Sequence, residues 1–139
     1  MLNFNELKSQ RGVAAVEFAI VLPILVILLA GIIEFSLLLY NQQVITNASR
    51  EGARAAINPI PKIEDKADIT SIVEDYCFQR MITFGSITNP LEVDVIGLNG
   101  ASGSDMIVIV KYEYGFLIPG FFNLGSSYPL ETRTVMRLL

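Results

Sequence analysis

The sequence has no histidine and no tryptophan, and only one cysteine. Without histidine there is no imidazole acid or base working near neutral pH, and no Cys/His zinc site. A single cysteine excludes a disulfide within the chain. Charge is also scarce, at 17% of 139 residues where a soluble domain usually carries about a quarter. The net charge of −4 and pI of about 4.7 argue against a nucleic-acid binder that works by neutralising phosphates. No repeat at 20–50-residue spacing and no low-complexity tract occurs. Most enzyme classes are weakened by these absences alone.

What the chain has in excess is apolar surface: 52% of its residues are hydrophobic and the mean hydropathy is +0.50. The excess is concentrated in one place. From Val13 to Ser49 only Glu17 and Glu34 carry charge, and Phe18–Ile33 carries none. Val13–Ile33 is 21 residues, roughly 31 Å as helix, which matches the hydrocarbon thickness of a bilayer. A chain this short could not wrap such a segment on all sides, so the run is expected in a membrane. It is also longer than the apolar core of a cleaved secretory signal, and Ala48-Ser49-Arg50 lies too far downstream to be a natural signal-peptidase site. Lys8 and Arg11 favour a cytoplasmic N-terminus, which leaves the C-terminal part exported.

The helical pattern does not end with the apolar run. Phe35, Leu38, Leu39, Gln42, Ile45 and Ser49 continue it, with Asn41, Gln42 and Gln43 opening a polar face. Asn58-Pro59 and Pro61 are the next breakers, so one helix over 13–57 is expected. Pro23 should bend or loosen that helix rather than end it.

Asp68 is expected to cap a second helix reaching about Phe84, buried through Ile69, Ile72, Val73, Tyr76, Cys77 and Met81. Cys77 on that face reads as a small buried hydrophobe. The acids Glu64, Asp65, Asp68, Glu74 and Asp75 lack the alternating ligands and glycine turn of a Ca²⁺ loop and read as helix surface. Asn47-Ala48-Ser49 meets the N-glycosylation pattern by chance, on a helix close to the membrane.

Beyond Leu91 the period changes to two. Leu91–Val95, Met106–Tyr114 and Tyr128–Leu139 read as strands, with turn residues at 98–104 and Val108, Val110, Tyr112 and Tyr114 on one face. Lys111, Tyr112, Glu113 and Tyr114 form the densest polar-aromatic group, which the alternation explains as two faces of a strand. The aromatic loop at 116–122 is either a contact surface or buried under the sheet. The fold class expected is α+β: a long N-terminal transmembrane helix extending outside the membrane, then one helix against an antiparallel sheet of at least three strands.

The stretch that bears on function is Arg11-Gly12-Val13-Ala14-Ala15-Val16-Glu17-Phe18. A carboxylate inside an apolar span costs about 2.5–3.5 kcal/mol at mid-bilayer and less near the interface. If the chain were cut after Gly12, the α-amine of Val13 on a staggered neighbouring subunit could pair with Glu17. Otherwise Glu17 is an ordinary residue at the headgroups. The two readings are equal on physics alone.

Gly12 and Glu17 at the head of a long apolar helix resemble the class III leader of type IV pilins, which a membrane-embedded prepilin peptidase cuts after the glycine. More narrowly, RGVAAVEFAIVLPILVILLAGIIEF followed by NASREGARAAI is similar to the TadE-like pseudopilins of the tight-adherence (Tad/Flp) pilus. Gly12, Glu17, Phe18 and Pro23 match the head of that pattern, and Glu34 with Arg50, Glu51, Gly52, Ala53 and Arg54 its outer end. The stretches VIVKYEYGFLIPGFF and TRTVMRLL also have the look of that family's C-terminal region. Phe18 after the glutamate, together with a sizeable exported domain, favours a pseudopilin over the small major pilin.

The resemblance implies a structural protein with no cofactor and no metal. Residues 1–12 would be the leader, 13–57 the transmembrane helix with its outer extension, and 58–139 a small exported domain. Cleavage would fall between Gly12 and Val13, with Glu17 aligning subunits. Its partners would be the prepilin peptidase, other pilin or pseudopilin subunits and the assembly platform of the bacterial inner membrane. The mature protein would enter the tip or base of a pilus or help to start it.

Ala48, Gly52 and Ala56 form a small-residue series that admits close approach of another helix. Arg50, Glu51 and Arg54 are either a partner contact or a solvated face. Two other readings stay open. One is an unprocessed signal-anchored protein with an exported binding domain, in which Glu17 is dispensable. The other is a type II secretion pseudopilin, disfavoured by Pro23 and the Arg50–Arg54 stretch.

Overall fold

The computed structural model describes residues 4–57, 63, 65–83, 91–118 and 125–138, with side chains described from Gly12 onward. Five elements follow in order: α1 Phe4–Ile57, α2 Lys66–Arg80, β1 Glu92–Ile96, β2 Asp105–Gly115 and β3 Ser127–Arg137. The fold is α+β, a long apolar helix, a second helix and a three-stranded antiparallel sheet. The chain divides into two compact units, residues 1–35 and 36–139.

In the first unit α1 is apolar all round from Phe18 to Ile33. Val16, Phe18, Ile20 and Ile24 are each more than 60% exposed, and the apolar residues between them are also largely uncovered. The helix already begins at Phe4, inside the stretch expected to be leader, because Glu6, Leu7, Lys8 and Gln10 are good helix formers and Gly12 alone does not stop them. It continues through Pro23, whose missing N–H leaves the carbonyl of Ala19 without its usual helical donor.

The second unit starts from the remainder of α1. Asn41, Val44, Ile45, Ala48, Ser49, Gly52, Ala53 and Ala56 are buried, an i, i+3, i+4 stripe that continues to the helix end. This stripe is rotated from the one expected: Leu39 is 63% exposed, while Asn41, expected on a polar face, is fully buried. The reason is polar rather than hydrophobic, since both ends of the Asn41 amide are satisfied by backbone.

α2 is capped by Asp65 rather than Asp68: its Oδ1 accepts from the Ala67 N–H at 3.0 Å. Asp68 sits in the first turn, where a carboxylate favours the helix dipole. The helix ends at Arg80, short of Phe84, which lies outside the described residues. Met81 turns to extended backbone and donates its N–H back to the Cys77 carbonyl at 2.8 Å. Ile69, Val73 and Cys77 form the buried face, as the helical spacing predicts.

The sheet is a meander of order β1-β2-β3. The registers Val93↔Val110↔Thr132, Val95↔Val108↔Thr134 and Tyr112↔Leu130 put one face of all three strands on the helices. On β2 the alternation is complete, with Met106, Val108, Val110, Tyr112 and Tyr114 buried. Each fully buried aliphatic side chain there stabilises the fold by roughly 1.5–3 kcal/mol relative to exposure. Gly97 begins the β1–β2 turn with φ 81°, and a Cβ there would lie 2.6 Å from the Asp105 carbonyl, so only glycine fits.

Candidate functional site

Two stretches of α1 carry the expected site residues. At the first, Gly12 is helical and exposed, and a Cβ built on it would meet nothing within 4 Å. Val13 is 58% exposed and Glu17 is exposed as well. Four residues apart, Val13 and Glu17 lie on the same face of the helix one turn from each other. The structure therefore presents both groups outward at the head of the apolar run. Glu34, the other charge in the run, is 4% exposed.

At the second stretch, the small-residue series does what its spacing allows. Ala48, Gly52 and Ala56 are buried, and α2 of the same chain packs against Gly52. At Gly52 an added Cβ would stand 2.7 Å from Val73 Cγ2 and 3.2 Å from Ile69 Cγ2. Arg50, Glu51 and Arg54 lie exposed on the opposite side of α1.

Side-chain hydrogen bonds tie this part of α1 to the rest of the second unit. The Tyr40 hydroxyl donates to the Arg80 carbonyl at 3.0 Å, and Asn41 takes both the N–H and the carbonyl of Ile82. Gln42 Nε2 donates to the Glu131 carbonyl at 3.0 Å. Buried Ser49 donates to the Thr46 carbonyl and shares a 2.6 Å hydrogen bond with Thr134 Oγ1 on β3. Among the described residues no buried side-chain nitrogen or oxygen lacks a partner. Sequence reasoning placed Asn41 on a polar face and missed its role. Its place in the series Asn41, Ile45, Ala48, Gly52 is the signal that could have found it.

The chemistry available elsewhere is slight. Cys77 is fully buried, and burial first, then the charge of nearby Glu74, pushes its thiol up to about 11 from an ordinary 9.0. Such a thiol is protonated and unreactive at neutral pH. Burial also raises the Tyr112 hydroxyl. Tyr112 and Tyr114 point into the core while Lys111 and Glu113 face out, as strand alternation predicts. Lys111 Nζ stands 3.5 Å from Glu92 Oε2 on β1.

Asp65, Asp68, Glu74 and Asp75 are exposed, and no cluster of three metal-ligating side chains occurs among the described residues. Of the aromatic loop, Phe116 is half-buried and packs edge-on against Tyr114 with ring centroids 5.8 Å apart. Residues 119–124 lie outside the described residues.

Among the described residues one helix is long and apolar enough to cross a membrane, Gly12–Ile57, which by length and composition is compatible with a single-pass anchor. No curated protein and no solved structure matches the chain. The exposed glycine and glutamate at the head of α1, the apolar run and the Arg50–Arg54 stretch all fall within residues 12–54, the part of the chain that matches the model of the TadE-like protein family.

Proposed function

We propose that the protein is a minor pseudopilin, a structural and assembly component of a Tad/Flp-type pilus that a prepilin peptidase cuts between Gly12 and Val13. The observation that carries the reading is Gly12 itself. Glycine inside a helix is less favourable than alanine by about 1 kcal/mol, and here a Cβ would touch nothing within 4 Å. The fold of this chain gives no reason for glycine at that place. A peptidase subsite that excludes a side chain does. The TadE-like match over residues 12–54 begins at the same glycine.

After cleavage, Val13 carries a cationic α-amine, and Glu17 is the carboxylate that meets it on a staggered neighbour. The exposed apolar surface from Val13 to Leu39 first faces lipid and then packs against other subunits. Ala48, Gly52 and Ala56 are already buried within the chain, with α2 against Gly52, which leaves subunit packing to that apolar surface. The anchor lies in the inner membrane with its N-terminus in the cytoplasm and residues 58–139 exported. The role is mechanical, not enzymatic.

The test is the N-terminal sequence and intact mass of membrane-extracted protein, with and without a co-expressed prepilin peptidase. A start at Val13 only with the peptidase, abolished by Gly12→Leu, supports the reading. Retention of residues 1–12 under all conditions would leave an unprocessed anchor instead.

A further inference from the structure

The helices lie on one face of the sheet. The other face, which strand alternation leaves polar where it meets water, here carries Ile96, Ile107, Ile109 and Val135. Ile96↔Ile107↔Val135 is one cross-strand row, so each strand gives one aliphatic side chain to a continuous patch, which Ile109 extends. Ile96 is 48% and Val135 50% exposed, while Ile107 and Ile109 are half-buried. An uncovered aliphatic patch rimmed by charge marks an interaction surface.

The rim says which partner fits. The row beside the aliphatic one is Asp94↔Ile109↔Arg133, an acid on β1 and a base on β3 with an apolar side chain between them. Two strand spacings, about 10 Å, separate the acid from the base. The charges on either side are already matched within the chain: Lys111 Nζ stands 3.5 Å from Glu92 Oε2, and Arg137 Nε 3.5 Å from Asp105 Oδ1. Asp94 and Arg133 are exposed and enter no ion pair or side-chain hydrogen bond among the described residues.

Such a row is complementary to itself. A two-fold axis along β2 lays β1 of one copy on β3 of the other at the same level. Asp94 then meets the partner's Arg133 on both sides of the axis, Ile96 meets the partner's Val135, and Ile107 and Ile109 meet their own copies. An axis across the strands through the Ile107 row would instead set Arg133 on the partner's Arg137. The row Glu92↔Lys111↔Glu131 meets itself with like charges and so bounds the contact.

We infer that two copies of this chain pair face to face through the outer side of their sheets, around Ile107 and Ile109, with Asp94 of each copy on the partner's Arg133. The pairing goes beyond the pilus reading and requires neither cleavage after Gly12 nor the apolar surface of α1. Its side chains, Asp94, Ile96, Ile107, Ile109, Arg133 and Val135, are few against about 20–30 residues a side in a standard interface. The pair is therefore weak, and a covalent trap suits it.

The substitution Ile107→Cys, next to the axis, supplies the trap. A bis-maleimide that reaches roughly the 10 Å between packed sheets joins the two copies there. Cys77 is fully buried and does not compete. In the full chain, solubilised in mild detergent, Ile107→Cys is expected to give a cross-linked dimer. Adding Asp94→Arg, or Arg133→Asp, sets like charges together at both contacts and is expected to lower the yield about tenfold or more. Mixing these two variants restores opposite charges at both contacts. The mixture is expected to regain the dimer as a heterodimer of the two chains, which mass spectrometry identifies. That recovery also shows that each variant is folded. Single variants that dimerise as well as the parent, or a mixture no better than its components, overturn the pairing. An Ile107→Cys chain that is not cross-linked overturns it too and leaves the face to a different protein. None of these outcomes bears on cleavage after Gly12, which N-terminal sequencing reads separately.

Discussion

Asn41 holds Ile82 by both edges of its side-chain amide: Nδ2 donates to the Ile82 carbonyl at 2.9 Å and Oδ1 accepts the Ile82 N–H at 3.0 Å. The two residues are 41 apart in sequence, and Asn41 is completely buried. A side-chain amide thus stands in for a strand neighbour, satisfying a backbone unit that has just left α2. The contact fixes where the second helix stops and where the segment after it lies against α1. It also explains why a polar residue is tolerated at the start of a buried stripe.

Replacing Asn41 by alanine removes both bonds and leaves the Ile82 N–H and carbonyl without the Asn41 amide. The expected loss is about 2–4 kcal/mol of unfolding free energy, from two hydrogen bonds one of whose partners stays in place. Asn41→Asp keeps the acceptor for the Ile82 N–H but sets a carboxylate oxygen against the Ile82 carbonyl, so it should be no milder. Urea unfolding of the detergent-solubilised chain, followed by circular dichroism, measures both. Two variants as stable as the parent would mean that the clamp contributes nothing.

Gly52 is set by packing, since an added methyl would meet Val73 Cγ2 at 2.7 Å. Gly52→Ala should therefore destabilise the chain by about 1–3 kcal/mol through overpacking, despite the better helix propensity of alanine. Val73→Ala in the same chain removes the obstructing methyl. The double variant is expected to be more stable than the sum of the two single changes predicts, and the double-mutant cycle reads that coupling directly.

Gly12 is predicted to behave in the opposite way. A Cβ at Gly12 meets nothing, so Gly12→Ala should leave folding unchanged or raise helix stability by up to about 1 kcal/mol. The same change should slow prepilin-peptidase cleavage, and Gly12→Leu should stop it. Glu17→Gln is expected to keep cleavage but lose assembly with partner subunits, because the amide is neutral. Gel-shift processing assays and co-purification separate the two effects.

Cys77 gives the fold an alkaline limit. Its thiol is raised in the folded chain, to about 11 from 9.0, so the folded state holds its proton where the unfolded chain has lost it. The stability linked to this group is complete below pH 9 and is lost as pH rises through about 11. Cys77→Ala should flatten that part of the stability profile, at the expense of a small cavity. Below pH 9, native Cys77 should resist thiol-specific alkylation until the chain is unfolded. Rapid alkylation of the folded chain at neutral pH would contradict its burial.

Sequence alone determined the elements whose surroundings are uniform. The apolar run specifies its own helix, because lipid or any other apolar medium accepts the same residues on every side. Period-two alternation over Leu91–Val95 and Met106–Tyr114 specified two strands and the inward set Val108, Val110, Tyr112 and Tyr114, because a strand shows one face to the core whichever partners it finds. The Gly12–Glu17 spacing and the TadE-like stretch were legible for the same reason, being properties of consecutive residues.

Only the tertiary structure decided contacts between residues distant along the chain. It showed that Asn41 is buried, because its partner is a backbone unit 41 residues away. It assigned the cap of α2 to Asp65, not to the Asp68 expected from the sequence, since the choice depends on which backbone is extended. It also buried the Ala48, Gly52 and Ala56 series within the chain, with the chain's own α2 against Gly52. Small residues permit a close approach but do not say which helix makes it. Periodicity describes one element at a time, and the identity of the packing partner is fixed only when α2 and the sheet close over the outer part of α1.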